Sequence, residues 1–210
     1  MLTMIFRNRI EAGQRLAESL KDYREFKDTL VVALPRGGVV VGREVARALG
    51  LPLDIVVPRK IASPESPEYA LGALAEDGEV VWGPEGRPEA SWVERVIDEE
   101  RREAARRLKL YRQKLPPRIF NGKNLIVVDD GVATGLTMAA ALKTLRKEGP
   151  RRLILAVPHG ARDSLQKLES LADETVVLET PIFYASVGSF YEEFPQIEDE
   201  EVIKLLNEKL

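Results

Sequence analysis

The chain has 210 residues, a net charge of −3 at neutral pH and 31% charged side chains with both signs interspersed. That length buries a substantial core, and the balanced charge leaves no electrostatic footprint for nucleic acid or a membrane surface. Cysteine is absent and histidine occurs once, which excludes disulfides, thiol catalysis and a zinc site built from cysteines or histidines.

No stretch reaches the length of an apolar membrane span, and the start of the chain lacks the continuous apolar core of a secretory signal, so a cytoplasmic protein is expected. Residues Arg9 to Tyr23 carry Ile10, Leu16, Ala17 and Leu20 at helical spacing, which predicts an amphipathic helix. Thr29–Leu34 reads as a strand ending in Pro35-Arg36-Gly37-Gly38. The next helix buries Val41, Val45, Ala48 and Leu49 and stops at Gly50, and Leu53 to Val57 is a further strand. Together they form a β-α-β unit, hence a parallel sheet with a right-handed crossover.

Pro58 to Glu68 is polar and proline-rich and reads as a surface loop; Tyr69 to Ala75, the Asp77-Gly78 turn and Val80 to Trp82 read as an antiparallel hairpin. Ser91 to Glu94 has the form of a capping box opening a long charged helix, with Asp98–Arg102 and Glu103–Arg107 as i,i+4 pairs. Its apolar stripe (Val93, Val96, Ile97, Ala104, Leu108, Tyr111, Leu115) is narrow, which suits packing along a neighbouring helix or a second subunit. A homo-oligomer is therefore expected.

The centre of the chain is Leu125 to Met138. A strand buried on both faces, Ile126 to Val128, ends in Asp129 and Asp130; a small-residue turn, Gly131 to Gly135, then opens a helix that runs to Gly149-Pro150. Unpaired N–H groups at a helix mouth make a cradle for phosphate, whereas the two carboxylates would repel one. Acids beside an anion cradle suit a ligand that carries hydroxyls or a metal ion next to its phosphate, such as a phosphorylated sugar. The plainer alternative is a polar strand-to-helix turn with Asp130 as the helix cap. Beyond it, Arg152 to Val157 is a strand, Arg162 to Leu171 a helix, Thr175 to Leu178 a strand, and about Asp199 to Leu206 a last helix.

The run Ile126–Thr137 resembles the signature of type I phosphoribosyltransferases: aliphatics, two acids, a small turn containing Thr-Gly, and a closing Thr. The spacing fits neither a P-loop nor a dinucleotide fingerprint. The resemblance covers about Leu30 to Leu178 and implies an α/β fold with a central parallel sheet flanked by helices. It implies one phosphoribosyltransferase-like domain over residues 1–210, with a flap at 58–82, a helical insertion at 91–115 that small members usually lack, and a C-terminal hood at 179–210. By the same resemblance, Asp129 and Asp130 hold the ribose hydroxyls, and Val132, Ala133, Thr134, Gly135, Leu136 and Thr137 form the phosphate loop. Arg36, Gly37 and Gly38 form the pyrophosphate loop, Lys60 and Arg59 are basic residues after the next strand, and Mg²⁺ is a cofactor that the two acids contact indirectly.

What the resemblance implies chemically is transfer of a 5-phosphoribosyl group from phosphoribosyl pyrophosphate to a nitrogenous acceptor, with the flap excluding water. Where members that take 6-oxopurines carry an aspartate in the motif, this chain has Ala133, which disfavours hypoxanthine and guanine and leaves adenine allowed. A binding module that senses the donor without turning it over is the alternative. For Arg36 and Arg59 a solvated surface role stays open. His159 reads equally as a satisfied polar residue or an acid–base, and Phe183, Tyr184, Phe190 and Tyr191 either stack on a base or form a small aromatic core.

Overall fold

The computed structural model describes residues 5–64 and 66–208, with side chains throughout except at 66–69. In chain order the strands are β1 (Thr29–Ala33), β2 (Leu53–Ile55), β3 (Arg59–Ser63), β4 (Ser66–Leu74), β5 (Val80–Trp82), β6 (Asn124–Val128), β7 (Arg152–His159) and β8 (Glu174–Glu179). The helices are α1 (Arg9–Ser19), α2 (Gly37–Leu49), α3 (Val93–Tyr111), α4 (Leu136–Lys147), α5 (Arg162–Glu169) and α6 (Asp199–Asn207). Five strands form a parallel sheet in the order β2-β1-β6-β7-β8, and β3-β4-β5 form a separate antiparallel sheet. The fold is the α/β architecture expected, with the helix-flanked parallel sheet at its centre.

Strand β6 shows why its sequence is aliphatic at each position from Leu125 to Val128: Leu125 and Val127 face the core under α4 and α5, while Ile126 and Val128 face α1 and α2. All five of its residues are buried. Both faces of a parallel strand are dry, so alternation disappears from its sequence.

Several local readings change. The first helix ends at Ser19 and continues as a 3-10 turn over Lys21–Glu25. Ile10, placed on its buried stripe, is 48% exposed, and Arg9 takes the buried phase with Ala12, Gly13 and Leu16. The polar segment after Pro58 is not simply a loop, because Arg59–Ser63 pairs antiparallel with β4. Its charged residues obscured a period of two: Ile61 is fully buried against Leu74, Val93 and Ile97, while Lys60 faces the opposite way into a cleft. Residue 65 of that loop, and the side chains of Ser66, Pro67, Glu68 and Tyr69, lie outside the described residues.

Helix α3 is preceded by Trp92, and no side chain caps it, so the capping box does not form; Glu94 pairs with Arg87 instead. Asp98 pairs with Arg101 rather than Arg102, whereas Glu103 does meet Arg107. The stripe of α3 is used within the chain: Val93 and Ile97 cover the antiparallel sheet, and Ala104 and Tyr111 pack with β2 and α6.

Replacing Ile126, which is fully buried between two helical layers, by Ala is expected to cost about 2–5 kcal/mol, read as a lowered midpoint in urea unfolding.

Candidate functional site

Strands β1 and β6 are neighbours, and the helices that follow them cover opposite faces of the sheet. At such a reversal the loops diverge and leave a crevice beyond the carboxyl ends of the strands. A cleft of about 420 Å³ opens there, lined by Asp129 and Asp130, the turn from Gly131 to Gly135, Thr137 and Met138, with Lys60 and Ala70 from the antiparallel sheet and Ala185, Ser186 and Val187 from the C-terminal segment.

The acid pair and the first loop are in direct contact. A Cβ on Gly37 would stand 2.0 Å from Asp130 Oδ2, and one on Gly38 would stand 2.7 Å from Asp129 Oδ1. Only glycine lets the start of α2 approach the acids this closely. On the other side, the turn is tied to β7: the Val132 N–H donates to the His159 carbonyl at 3.0 Å and the Ala161 N–H donates to the Val132 carbonyl at 2.8 Å. Helix α4 begins after Gly135, whose φ of +77° requires glycine, so Asp130 is not its cap. Ala133 and Thr134 are exposed at the mouth of that helix.

Burial and the adjacent Asp130 charge push the Asp129 carboxyl well above the usual carboxylate range. Burial raises Asp130 as well, and the Arg9 guanidinium opposes the rise. Arg9 Nε donates to Asp130 Oδ2 at 2.7 Å, with 8% and 14% of the two side chains exposed. Nothing in the motif spacing pointed to Arg9; the available signal was an arginine in phase with Ala12 and Leu16 on an apolar helix face. Tyr191 also went unassigned to the acids, and its hydroxyl donates to the Asp130 carbonyl at 2.6 Å.

The remaining residues singled out from sequence separate. Lys60, Val132, Ala133, Thr134, Gly135 and Thr137 line the cleft with the acids. Leu136 turns away, into a hollow of about 390 Å³ between Trp82, Ser164 and Leu168. Arg59, adjacent to Lys60 but on the other face of β3, donates to Glu100 of α3 at 2.7 Å. Arg36 stands at the start of α2, 3.2 Å from Glu198 and 3.7 Å from Asp199.

His159 and the aromatic residues largely resolve into the small core. His159 is fully buried between Phe6, Phe190, Tyr184 and Tyr191, and its Nδ1 is 2.9 Å from the Tyr184 hydroxyl. Phe190 and Tyr191 are buried with it, while Phe183 is 89% exposed. The cluster lies directly under Gly131, where a Cβ would meet the His159 ring at 2.5 Å.

Comparison with known proteins places these features in context. The model of the phosphoribosyl transferase domain family matches residues 2–192. A protein of Mycobacterium tuberculosis that carries a phosphoribosyl transferase name is 38% identical over 212 residues, covering 97% of this chain and 46% of that one. The chain thus spans about half the length of the curated relatives it matches. The crystal structure of TT1426 from Thermus thermophilus superposes with a TM-score of 0.79 at 42% identity, covering 97% of this chain and 98% of that one. A ribose-phosphate pyrophosphokinase of Pyrococcus furiosus is 39% identical over 61 residues, 28% of this chain and 22% of that one.

Two outcomes are expected from the geometry. Burial pushes His159 from 6.5 down to about 4, so its neutral ring stabilises the fold fully above pH 6.5 and that contribution is lost as the pH falls toward 4. As the single histidine, its ring protons are assignable directly, and an NMR titration should show no protonation step near 6.5. Gly37→Ala, which drives a methyl group into the Asp130 carboxylate, is expected to cost about 1–3 kcal/mol by urea unfolding, where an exposed Gly→Ala change would be near neutral.

Proposed function

The chain belongs to the phosphoribosyl transferase family, and from that premise we propose that it moves a 5-phosphoribosyl group from phosphoribosyl pyrophosphate to a ring nitrogen of a nucleobase, releasing pyrophosphate. The observation that supports this reading most strongly is the placement of an acid pair and an open helix mouth on the walls of one 420 Å³ cleft. These are complementary to opposite ends of a ribose 5-phosphate: hydroxyls toward Asp129 and Asp130, phosphate toward the N–H groups around Thr134 to Thr137.

In this reading the pyrophosphate extends from the sugar toward the start of α2, where Gly37 and Gly38 bring backbone N–H groups alongside the acids. Lys60, on the opposite wall, supplies a cation for the departing anion. As the glycosidic bond breaks, positive charge spreads over the ribose, and carboxylates held at its hydroxyls favour that charge. The antiparallel sheet, anchored on α3 through Ile61, Leu74, Val93 and Ile97, forms the wall that limits water at the sugar. Ala133 in the turn leaves no carboxylate for a 6-oxopurine, so adenine is the purine acceptor most consistent with the motif.

Magnesium fits the cleft as an ion shared with the donor. Among the described residues no group of three acidic or histidine side chains is arranged to hold a metal alone, and Asp130 already faces Arg9. Asp129 and donor oxygens would therefore hold the ion, directly or through water, and when bound it would neutralise charge on the leaving pyrophosphate.

Incubating the protein with Mg²⁺, phosphoribosyl pyrophosphate and a panel of nucleobases while following pyrophosphate tests the proposal. Release that depends on an acceptor and falls on the order of a hundredfold or more in Asp130→Asn is the expected result. Tight donor binding with no release across the panel would replace transfer by sensing.

A further inference from the structure

Arg9 comes from the first turn of α1, 121 positions before its partner Asp130. Its long side chain is held at three points. Nε donates to Asp130 Oδ2 at 2.7 Å, Nη1 donates to the Pro195 carbonyl at 2.8 Å, and the guanidinium lies 3.7 Å from the centre of the Phe194 ring. The segment that supplies Phe194 and Pro195 is itself laced to the start of the chain. Phe6 N–H donates to the Phe190 carbonyl at 2.8 Å, and the Glu192 and Glu193 N–H groups donate to the Phe6 and Arg7 carbonyls at 2.9 Å. The start of the described chain and the segment that precedes α6 thus meet around one arginine, and that arginine meets one acid.

So much ordering of a flexible side chain is costly, and a fork that satisfies a carboxylate, a carbonyl and an aromatic face at once is something lysine cannot supply. Asp129 has no ion pair of its own within the described residues; its Oδ1 accepts the Asp130 N–H at 2.9 Å. The two carboxylates are therefore not equivalent.

We propose that Arg9 is a positioning residue of the sugar site: it grips the Asp130 carboxylate by Oδ2, so that the acid pair meets a ribose with one carboxylate already paired and its orientation set. This role deepens the donor-binding reading above and, for its effect on the donor, rests on it. The groups facing Asp130 are Arg9 from α1, Asp129 beside it, Tyr184 and Tyr191 from the C-terminal segment, neutral His159 from β7 beneath the turn, and Lys60 from β3 in the same cleft. Of these, Arg9 is the cation in contact.

The test is a crystal structure of Arg9→Gln, read for the place of the Asp130 side chain, alongside calorimetry of Mg²⁺ and phosphoribosyl pyrophosphate binding to the full chain. In Arg9→Gln the Asp130 carboxylate should leave the position it holds against Arg9 Nε, and a carboxylate in the same place would overturn the proposal. Should Arg9→Gln fail to fold, Arg9→Lys keeps the charge but not the fork that meets Asp130, Pro195 and Phe194 at once, and is expected to shift Asp130 and weaken donor binding in the same direction; an unchanged carboxylate with unchanged binding would overturn the proposal. Arg9→Gln should weaken donor binding by roughly tenfold to a hundredfold, but add little to the loss already caused by Asp130→Asn. An equal loss in both backgrounds would mark Arg9 as merely structural. If the wild-type protein binds no donor, the donor-site reading fails, while the variant structure still decides whether Arg9 sets the orientation of Asp130.

Discussion

Two carboxylates side by side at the end of a buried strand repel each other and lose hydration, and the surrounding structure is arranged to make that tolerable. Arg9 reaches across from the first helix to balance one of them. Gly37 and Gly38 bring the start of α2, with its positive dipole end, against both. Tyr191 ties down the Asp130 carbonyl just beyond the pair, and the ring cluster around His159 forms a floor under Gly131. A cation, a helix mouth and an aromatic base thus converge on two adjacent aspartates from regions far apart in sequence.

The antiparallel sheet follows from the same economy of faces. In β3, Arg59 and Ile61 share the side that α3 covers, so Arg59 ends on Glu100; Lys60 falls between them and points to the cleft. One residue of register separates a structural arginine from a cleft lysine. Helix α3, whose exposed surface is laced with i,i+3 and i,i+4 ion pairs, spends its apolar stripe on that sheet and on α6. That stripe therefore supplies no argument for a second subunit.

The parallel sheet was legible because its strands are short, aliphatic and separated by well-punctuated helices, and the acid pair was legible because Ile126 to Thr137 carries local chemistry at fixed spacing. Local signals failed where tertiary partners decided the outcome. Ile10 looked buried until Arg9 rotated that face toward Asp130; Ser91 looked like a cap until Trp92 took the position; Arg59–Ser63 looked like a loop because its charges hid a two-residue period. Arg9 itself could not be found from spacing, since the residue that gives it meaning lies 121 positions away.

The most direct measurement is a structure of the protein with phosphoribosyl pyrophosphate and Mg²⁺ bound. The account predicts ribose hydroxyls within hydrogen-bonding distance of Asp129 and Asp130, the 5′-phosphate on the N–H groups around Thr134 to Thr137, and the Arg9 contact to Asp130 intact. A donor bound elsewhere, or bound in this cleft with its phosphate away from the mouth of α4 and its hydroxyls away from the acids, would contradict it.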